Sequence, residues 1–265
     1  MKKACSVLLA AALLLTGCSG TKRPVDVKLM EGANTENSAV TMYMSDGEST
    51  TLSFLFNGAE FIDAVNSAKV YEAPADLDVT GFSMPFYGIT CGTAEGEVGG
   101  MLADGIWISS EGEVYLTDLD ISALAAEQTW NEPQQVNGIY MPGLWYIARF
   151  GGEWHTQFLS KAEEPEDRGV ELAITSVDGA TVSATLTDKT GEEQCVGQYY
   201  TLQAQIDGEW YAVPTQTELV FIDLGYIIEP NGSISMTYHL DAYGDIPAGT
   251  YRIVAEGDTA EFTIE

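Results

Sequence analysis

The sequence predicts a mainly β protein, with an α+β domain over residues 29–160 and a β-sandwich over 169–265. Three observations carry this. Residues 169–265 alternate apolar and polar positions in short runs, separated by turns containing Gly and Asp. The run Lys161-Ala162-Glu163-Glu164-Pro165-Glu166-Asp167-Arg168 is charged, contains Pro and lacks apolar periodicity, as a solvated linker would. The residues before it mix strand-like runs with one stretch at helical spacing. A chain of 265 residues accommodates two domains of ordinary size.

The sandwich elements follow in order. Val170 to Val177 alternates, with Val170, Leu172, Ile174 and Val177 on one face. Asp178-Gly179 has the composition of a two-residue hairpin turn, and Thr181 to Thr187 returns with Val182, Ala184 and Leu186 inward. Tyr199 to Ile206 and Glu209 to Val213 form a hairpin about Asp207-Gly208. Leu219 to Ile228 reads as a more continuously apolar strand, followed by Ile234 to Leu240. Thr250 to Ala255 and Ala260 to Ile264 close the set, turning at Gly257-Asp258. Strands at this regular spacing argue a two-sheet sandwich. Tyr251, entering its strand after Pro247-Ala248-Gly249, stands where a tyrosine corner would fold its hydroxyl onto nearby backbone. An aromatic packed on the strand face explains it equally well. Two positions on stands Ile253 and not Cys, so the inter-sheet disulfide of antibody domains is absent.

The hairpin from Tyr200 to Tyr211, with Leu202, Asp207-Gly208 and Trp210-Tyr211, and the segment Pro247-Ala248-Gly249-Thr250-Tyr251-Arg252-Ile253 resemble a bacterial immunoglobulin-like domain. The resemblance covers residues 169–265 and implies an immunoglobulin-like β-sandwich in a cell-envelope setting. It brings no catalytic or ligand residues with it.

In the first domain, Thr50 to Phe56 reads as a strand. Asn57 can cap a helix over Ala59 to Val70, where Phe61, Ile62, Val65 and Ala68 share a face. Ile106-Trp107-Ile108 and Val114-Tyr115-Leu116 flank a turn, and Asp118 to Glu127 suits a short helix. Leu144 to Phe150 and Trp154 to Leu159 read as a hairpin across Gly151-Gly152.

The amino terminus predicts an address. Met1-Lys2-Lys3 is a basic head, and Val7 through Leu15 is an apolar run too short for a permanent span, as in a secretory signal peptide over 1–17. Leu15-Thr16-Gly17-Cys18 resembles the lipobox of bacterial lipoproteins, which implies cleavage before Cys18 and lipid on its thiol. Residues 18–28 then form a leash, and the protein is expected at the cell membrane, lipid-anchored and facing outside the cytoplasm. Removing the signal takes Lys2 and Lys3 from 11 basic residues and leaves 40 acidic ones, so the mature charge is 9 − 40 = −31. Such a chain repels nucleic acid. The expected partners are membrane lipid through Cys18 and an envelope protein or glycan. Once Cys5 is cleaved and Cys18 acylated, Cys91 and Cys195 are the remaining thiols, bridged or separate.

No catalytic residue is assigned. His155 and His239 lack metal-ligand spacing, and no nucleophile elbow or phosphate loop is present. Ser19 to Lys22 matches a Ser-x-x-Lys spacing on the leash, with no fold to orient it. A Cys91 nucleophile with His155 as base is conceivable on residue type alone. No cofactor is expected. Calcium would need a complete loop, and Asp76-Leu77-Asp78, Asp118-Leu119-Asp120 and the Asp241/Asp245 turn each lack part of one. Of five Trp residues, Trp107, Trp145 and Trp210 sit in strand-like runs, while Trp130 lies in a loop-like segment and is the expected binding residue. The sequence thus predicts a tethered, non-enzymatic interaction protein. The alternative is a glycan- or peptidoglycan-directed hydrolase using carboxylates of the first domain.

Overall fold

An eight-stranded antiparallel sheet organises the first unit of the computed structural model. The structure describes residues 22–265 apart from 35, 37–38, 47–49, 79–80, 83–84, 137–139, 218, 220 and 222–223. Its elements are β1 (Val40–Ser45), β2 (Thr50–Leu55), α1 (Ala59–Asn66), β3 (Val70–Glu72), β4 (Phe86–Gly92), β5 (Glu97–Ala103), β6 (Ile106–Ser109), β7 (Val114–Thr117), α2 (Ile121–Ala126), β8 (Gln134–Val136) and α3 (Leu144–Ala148). The strand order is β3-β7-β6-β5-β4-β1-β2-β8.

Both faces of this sheet are covered, and side-chain alternation sorts the residues between them. Ile89 and Cys91 of β4, Leu102 of β5 and Trp107 of β6 join Phe61, Ile62 and Val65 of α1 and Ile121 of α2. Phe86, Met101, Ala103, Ile106 and Ile108 point the other way, onto Ile147 and Ala148 of α3 and onto Phe158 and Leu159.

Helix α1 opens at Gly58 without a side-chain cap, and Asn57, expected as its cap, takes φ +64° instead. Asp120 does cap α2, accepting from the Ala123 N–H at 2.9 Å. The hairpin expected from Leu144 to Leu159 is not formed. Leu144–Ala148 is helical, and short 3-10 turns follow at Phe150–Gly152 and Thr156–Phe158. The run Leu144-Trp145-Tyr146-Ile147-Ala148 is apolar enough to suit either period. The need to cover the second sheet face decides for the helix. From Arg23 on, the expected leash lies along β3, with Val25 N–H on the Val70 carbonyl at 3.0 Å and Glu72 N–H on that of Arg23 at 2.9 Å.

The second unit holds β9 (Val170–Asp178), β10 (Thr181–Asp188), β11 (Gln194–Val196), β12 (Thr201–Ile206), β13 (Glu209–Ala212), β14 (Tyr226–Ile228), β15 (Ser233–His239), β16 (Gly249–Ala255) and β17 (Asp258–Ile264). A three-stranded sheet β15-β10-β9 faces a four-stranded sheet β13-β12-β16-β17, and β11 pairs with β14 as a separate ribbon. Val182, Leu186, Leu202, Tyr243, Tyr251 and Ile253 lie in the core between the sheets. The expected alternation is present, but two hairpin turns shift by one residue. Thr181 pairs with Asp178 and Asp258 with Ala255, so the turns are Gly179-Ala180 and Glu256-Gly257. The strand expected over Leu219 to Ile228 is, among the described residues, confined to β14.

The stretch expected as a free linker is attached to the sandwich. Lys161 bridges Tyr211 beside β13, with Ala162 N–H on the Trp210 carbonyl and Ala212 N–H on the Ser160 carbonyl, both at 2.9 Å. The buried Arg252 fixes it further. Its guanidinium lies 4.5 Å from the Trp210 ring centre, donates to Gln203 Oε1 at 2.6 Å and reaches Glu164 at 3.0 Å.

Candidate functional site

The two units meet at one end of the sandwich. That end carries the Gly179-Ala180 turn, the Asp207-Gly208 turn and the segment 240–248, since Leu240 N–H donates to the Ala180 carbonyl. The Trp145 indole N–H donates to the Tyr243 carbonyl at 2.7 Å, and Arg149 reaches Asp245 at 2.7 Å. Gln216 donates to the Tyr146 hydroxyl at 3.0 Å. The Trp154 N–H donates to the Tyr251 hydroxyl at 2.9 Å, and that hydroxyl donates to the Pro247 carbonyl at 2.6 Å. Tyr251 therefore is a tyrosine corner, and the first unit is docked on it.

Among the described residues the opposite end of the sandwich lies away from the first unit, and only the chain at Glu166–Arg168 crosses it, against Gly257 and with Arg168 3.6 Å from Glu256. This open end carries the Glu256-Gly257 turn and the connection from β10 to β12, because β12 runs antiparallel to β16 with Thr201 opposite Val254. Asp188 organises this end from below. Its carboxylate accepts from the Thr190 hydroxyl at 2.7 Å, from the Thr190 and Asn231 N–H groups at 2.8 Å and from Gly191 N–H at 2.9 Å. Those bonds, the Thr190 hydroxyl first, hold its pKa down at about 2. On this frame sits the ribbon of β11 and β14, in which Cys195 faces Ile227. Val196 and Ile228 point into the core, which turns Cys195 and Ile227 outward. Ile227 is 49% exposed, Leu224 45% and Tyr199 54%. Tyr199 stacks edge-on to Phe221 at 5.1 Å, and Gln198 holds the Tyr226 hydroxyl at 2.7 Å. The result is a group of exposed apolar side chains borne by neighbouring segments at the open end, a feature that marks contact surfaces.

The residues singled out from sequence are scattered. Cys18 and residues 1–17, expected as a signal segment, lie outside the described residues. Trp130 is half-buried, meets Phe61 edge-on at 5.4 Å and donates its N–H to the Ala125 carbonyl at 2.9 Å. Trp107 and Trp145 are buried and Trp210 lies under Arg252. Cys91 is a buried free thiol, raised in pKa by burial and then by the charge of Glu97, whereas Cys195 is an exposed free thiol. His155 bonds Phe150 O through Nε2 at 2.7 Å and donates its backbone N–H to the Ala148 carbonyl, in the segment that covers the sheet face opposite Cys91, so the two make no dyad. His239 lies on β15, exposed, its carbonyl accepting from the Tyr200 hydroxyl.

The acidic candidates serve the fold. Asp118 accepts from Lys69 N–H at 2.7 Å and Asp245 pairs with Arg149. Among the described residues no group of three His, Cys, Asp or Glu is arranged to hold a metal ion. A shallow cleft of about 420 Å³ is lined by Tyr87, Leu102, Asp104, Asp118, Asp120 and Ile121, among others. Bonds from Ala123 N–H and then Ser122 lower the Asp120 pKa, the reverse of what a glycosidase general acid requires.

The patch was missed in the sequence because its members come from two segments, 195–199 and 221–227, brought together by the β11–β14 pairing and the contacts beside it. The one signal was the unusually apolar run from Leu219 to Ile228, which exceeds what a half-buried strand needs.

No curated protein matches the chain. A family model described as a bacterial Ig-like domain matches residues 168–265, the whole of the second unit, which is accordingly a bacterial immunoglobulin-like domain.

Proposed function

We propose that this protein is a lipoprotein anchored through Cys18 outside the cytoplasm, where it binds an envelope partner without catalysing a reaction. The immunoglobulin-like domain suggests a surface or interaction role. The observation that carries the reading further is the apolar patch of Tyr199, Phe221, Leu224 and Ile227, placed at the end of the sandwich that the first unit leaves open. In antibody variable domains the B–C and F–G loops of this same end form the recognition site. The docked first unit then acts as a rigid base that carries the open end away from the membrane. Trp130, half-exposed on the first unit, is a secondary contact candidate.

Two variants test this. Cys18→Ser should move the protein from the membrane to the soluble fraction and abolish labelling by radioactive palmitate. Ile227→Asp should leave it in the membrane and remove the protein that cross-links to the parent chain in intact cells. Retained membrane labelling in the first variant, or unchanged cross-linking in the second, would refute the corresponding half of the reading.

A further inference from the structure

We infer that the open end takes an extended, Lys- or Arg-bearing apolar segment of a protein partner, added as a strand at the edge of the β11–β14 ribbon with side chains on the outward face beside Ile227. The inference rests on the binding reading above and names the partner's chemistry.

Charge decides the class of partner. Residues 169–265 contain 2 basic residues and 16 acidic ones, a net of 2 − 16 = −14. Both cations are already committed, Lys189 to Glu171 and Arg252 to Glu164, and Arg168, the residue just before this span, is paired with Glu256 at the open end at 3.6 Å. Glu192 and Glu193 precede β11 and Glu229 follows β14, all three exposed. The apolar patch is thus rimmed by carboxylates with no uncommitted cation of its own domain among the described residues. A second copy of the chain, a nucleic acid or an anionic bilayer would bring like charge to that rim. A segment with apolar residues in its middle and cations beside them fits both features.

Shape decides that the segment is extended. Among the described residues β11 and β14 pair only with each other, so neither outer edge of the ribbon carries a further ladder, the condition for adding a strand. The Cys195 sulfur already occupies the space over Gly225, where a Cβ would stand 2.9 Å from it. Ile227, Leu224 and Tyr199 are exposed and offer apolar contact to alternate side chains of an added strand.

Fluorescence anisotropy with the purified full chain in mild detergent tests this. The probes are three labelled peptides of alternating Val with Lys, Ser or Glu. The Lys peptide should bind about tenfold tighter than the other two, and weaken severalfold between about 50 and 300 mM salt. Ile227→Ser and Tyr199→Ser should each weaken it by about fivefold or more, while Phe56→Ser, at an exposed apolar position of the first unit, should leave it unchanged. Equal binding of the Lys peptide to Ile227→Ser would overturn the assignment of the ribbon. Preference for the Ser or Glu peptide, still lost in Ile227→Ser, would overturn the basic partner while leaving the open end as the contact surface. Binding of none of the three would overturn the inference, and the in-cell cross-linking of Ile227→Asp then judges the binding reading separately.

Discussion

The indole N–H of Trp154 donates at 2.9 Å to the hydroxyl of Tyr251, a residue 97 positions further along the chain. Tyr251 in turn donates to the Pro247 carbonyl, so one buried hydroxyl closes the tyrosine corner and receives the first unit. A buried hydroxyl engaged as both donor and acceptor costs little, whereas a partner left unsatisfied costs its full desolvation.

Tyr251→Phe should therefore destabilise the protein by about 1–3 kcal/mol, since it orphans both the Pro247 carbonyl and the Trp154 N–H. Trp154→Phe should cost about 1–2 kcal/mol. The double variant should fall short of the sum by about 0.5 kcal/mol or more, because the two changes remove one shared bond. Denaturant titration of the four proteins measures this, and strict additivity would place the two groups out of contact.

Gly244 lies at φ +63° between the two units, where an added Cβ would meet Gln216 Oε1 and stand 2.9 Å from the Trp145 ring. Gly244→Ala should cost about 1–3 kcal/mol through backbone strain and displacement of the Trp145 indole from the Tyr243 carbonyl. A red shift of tryptophan emission should accompany the lower melting temperature.

Arg252 is buried beneath its attachments, while its partner Glu164 is largely exposed. Arg252→Ala removes the stacking on Trp210 and leaves Gln203 without its donor, and should cost about 2–4 kcal/mol. Glu164→Gln should cost less than about 1 kcal/mol, as expected for an ion pair with one exposed partner. Limited proteolysis should show faster cleavage within residues 160–168 for Arg252→Ala than for Glu164→Gln.

Asp188 sets a pH dependence. Its pKa in the folded protein is about 2, below the ordinary aspartate value, because four bonds favour the ionised form. A depressed carboxylate stabilises the fold above its ordinary pKa of about 4 and loses that contribution as pH falls towards about 2. Asp188→Asn should therefore be less stable than the parent at pH 7, with the gap narrowing as pH falls from about 4 to 2. Chemical denaturation at a series of pH values would show it, and a gap independent of pH would contradict it.

The sandwich was legible in the sequence because its strands alternate strictly, with Val182, Ala184 and Leu186 inward and Ser183 and Thr185 between. The two displaced turns show the limit. A Gly beside an acidic residue marks a turn, but which two residues form it is fixed by strand register. The first unit was harder. Its central strands are covered on both faces, so β4 and β5 read as apolar runs without alternation, and Gly99 and Gly100 obscure β5 further. Leu144–Ala148 misled because its period is ambiguous over five residues. The junction between units left no local sign, since Trp145 and Trp154 find partners 98 and 97 positions away. The open-end patch was hidden for the same reason, with only the apolar excess after Leu219 pointing to it.

Site-specific photo-cross-linking in intact cells tests the central claim most directly. A photoreactive residue would replace Ile227 at the open end, Phe56 on the first unit, or Asp245 at the junction. The account predicts a discrete protein adduct from position 227 and none from 56 or 245. Adducts from position 56 with none from 227 would contradict it, and would move the contact surface to the first unit.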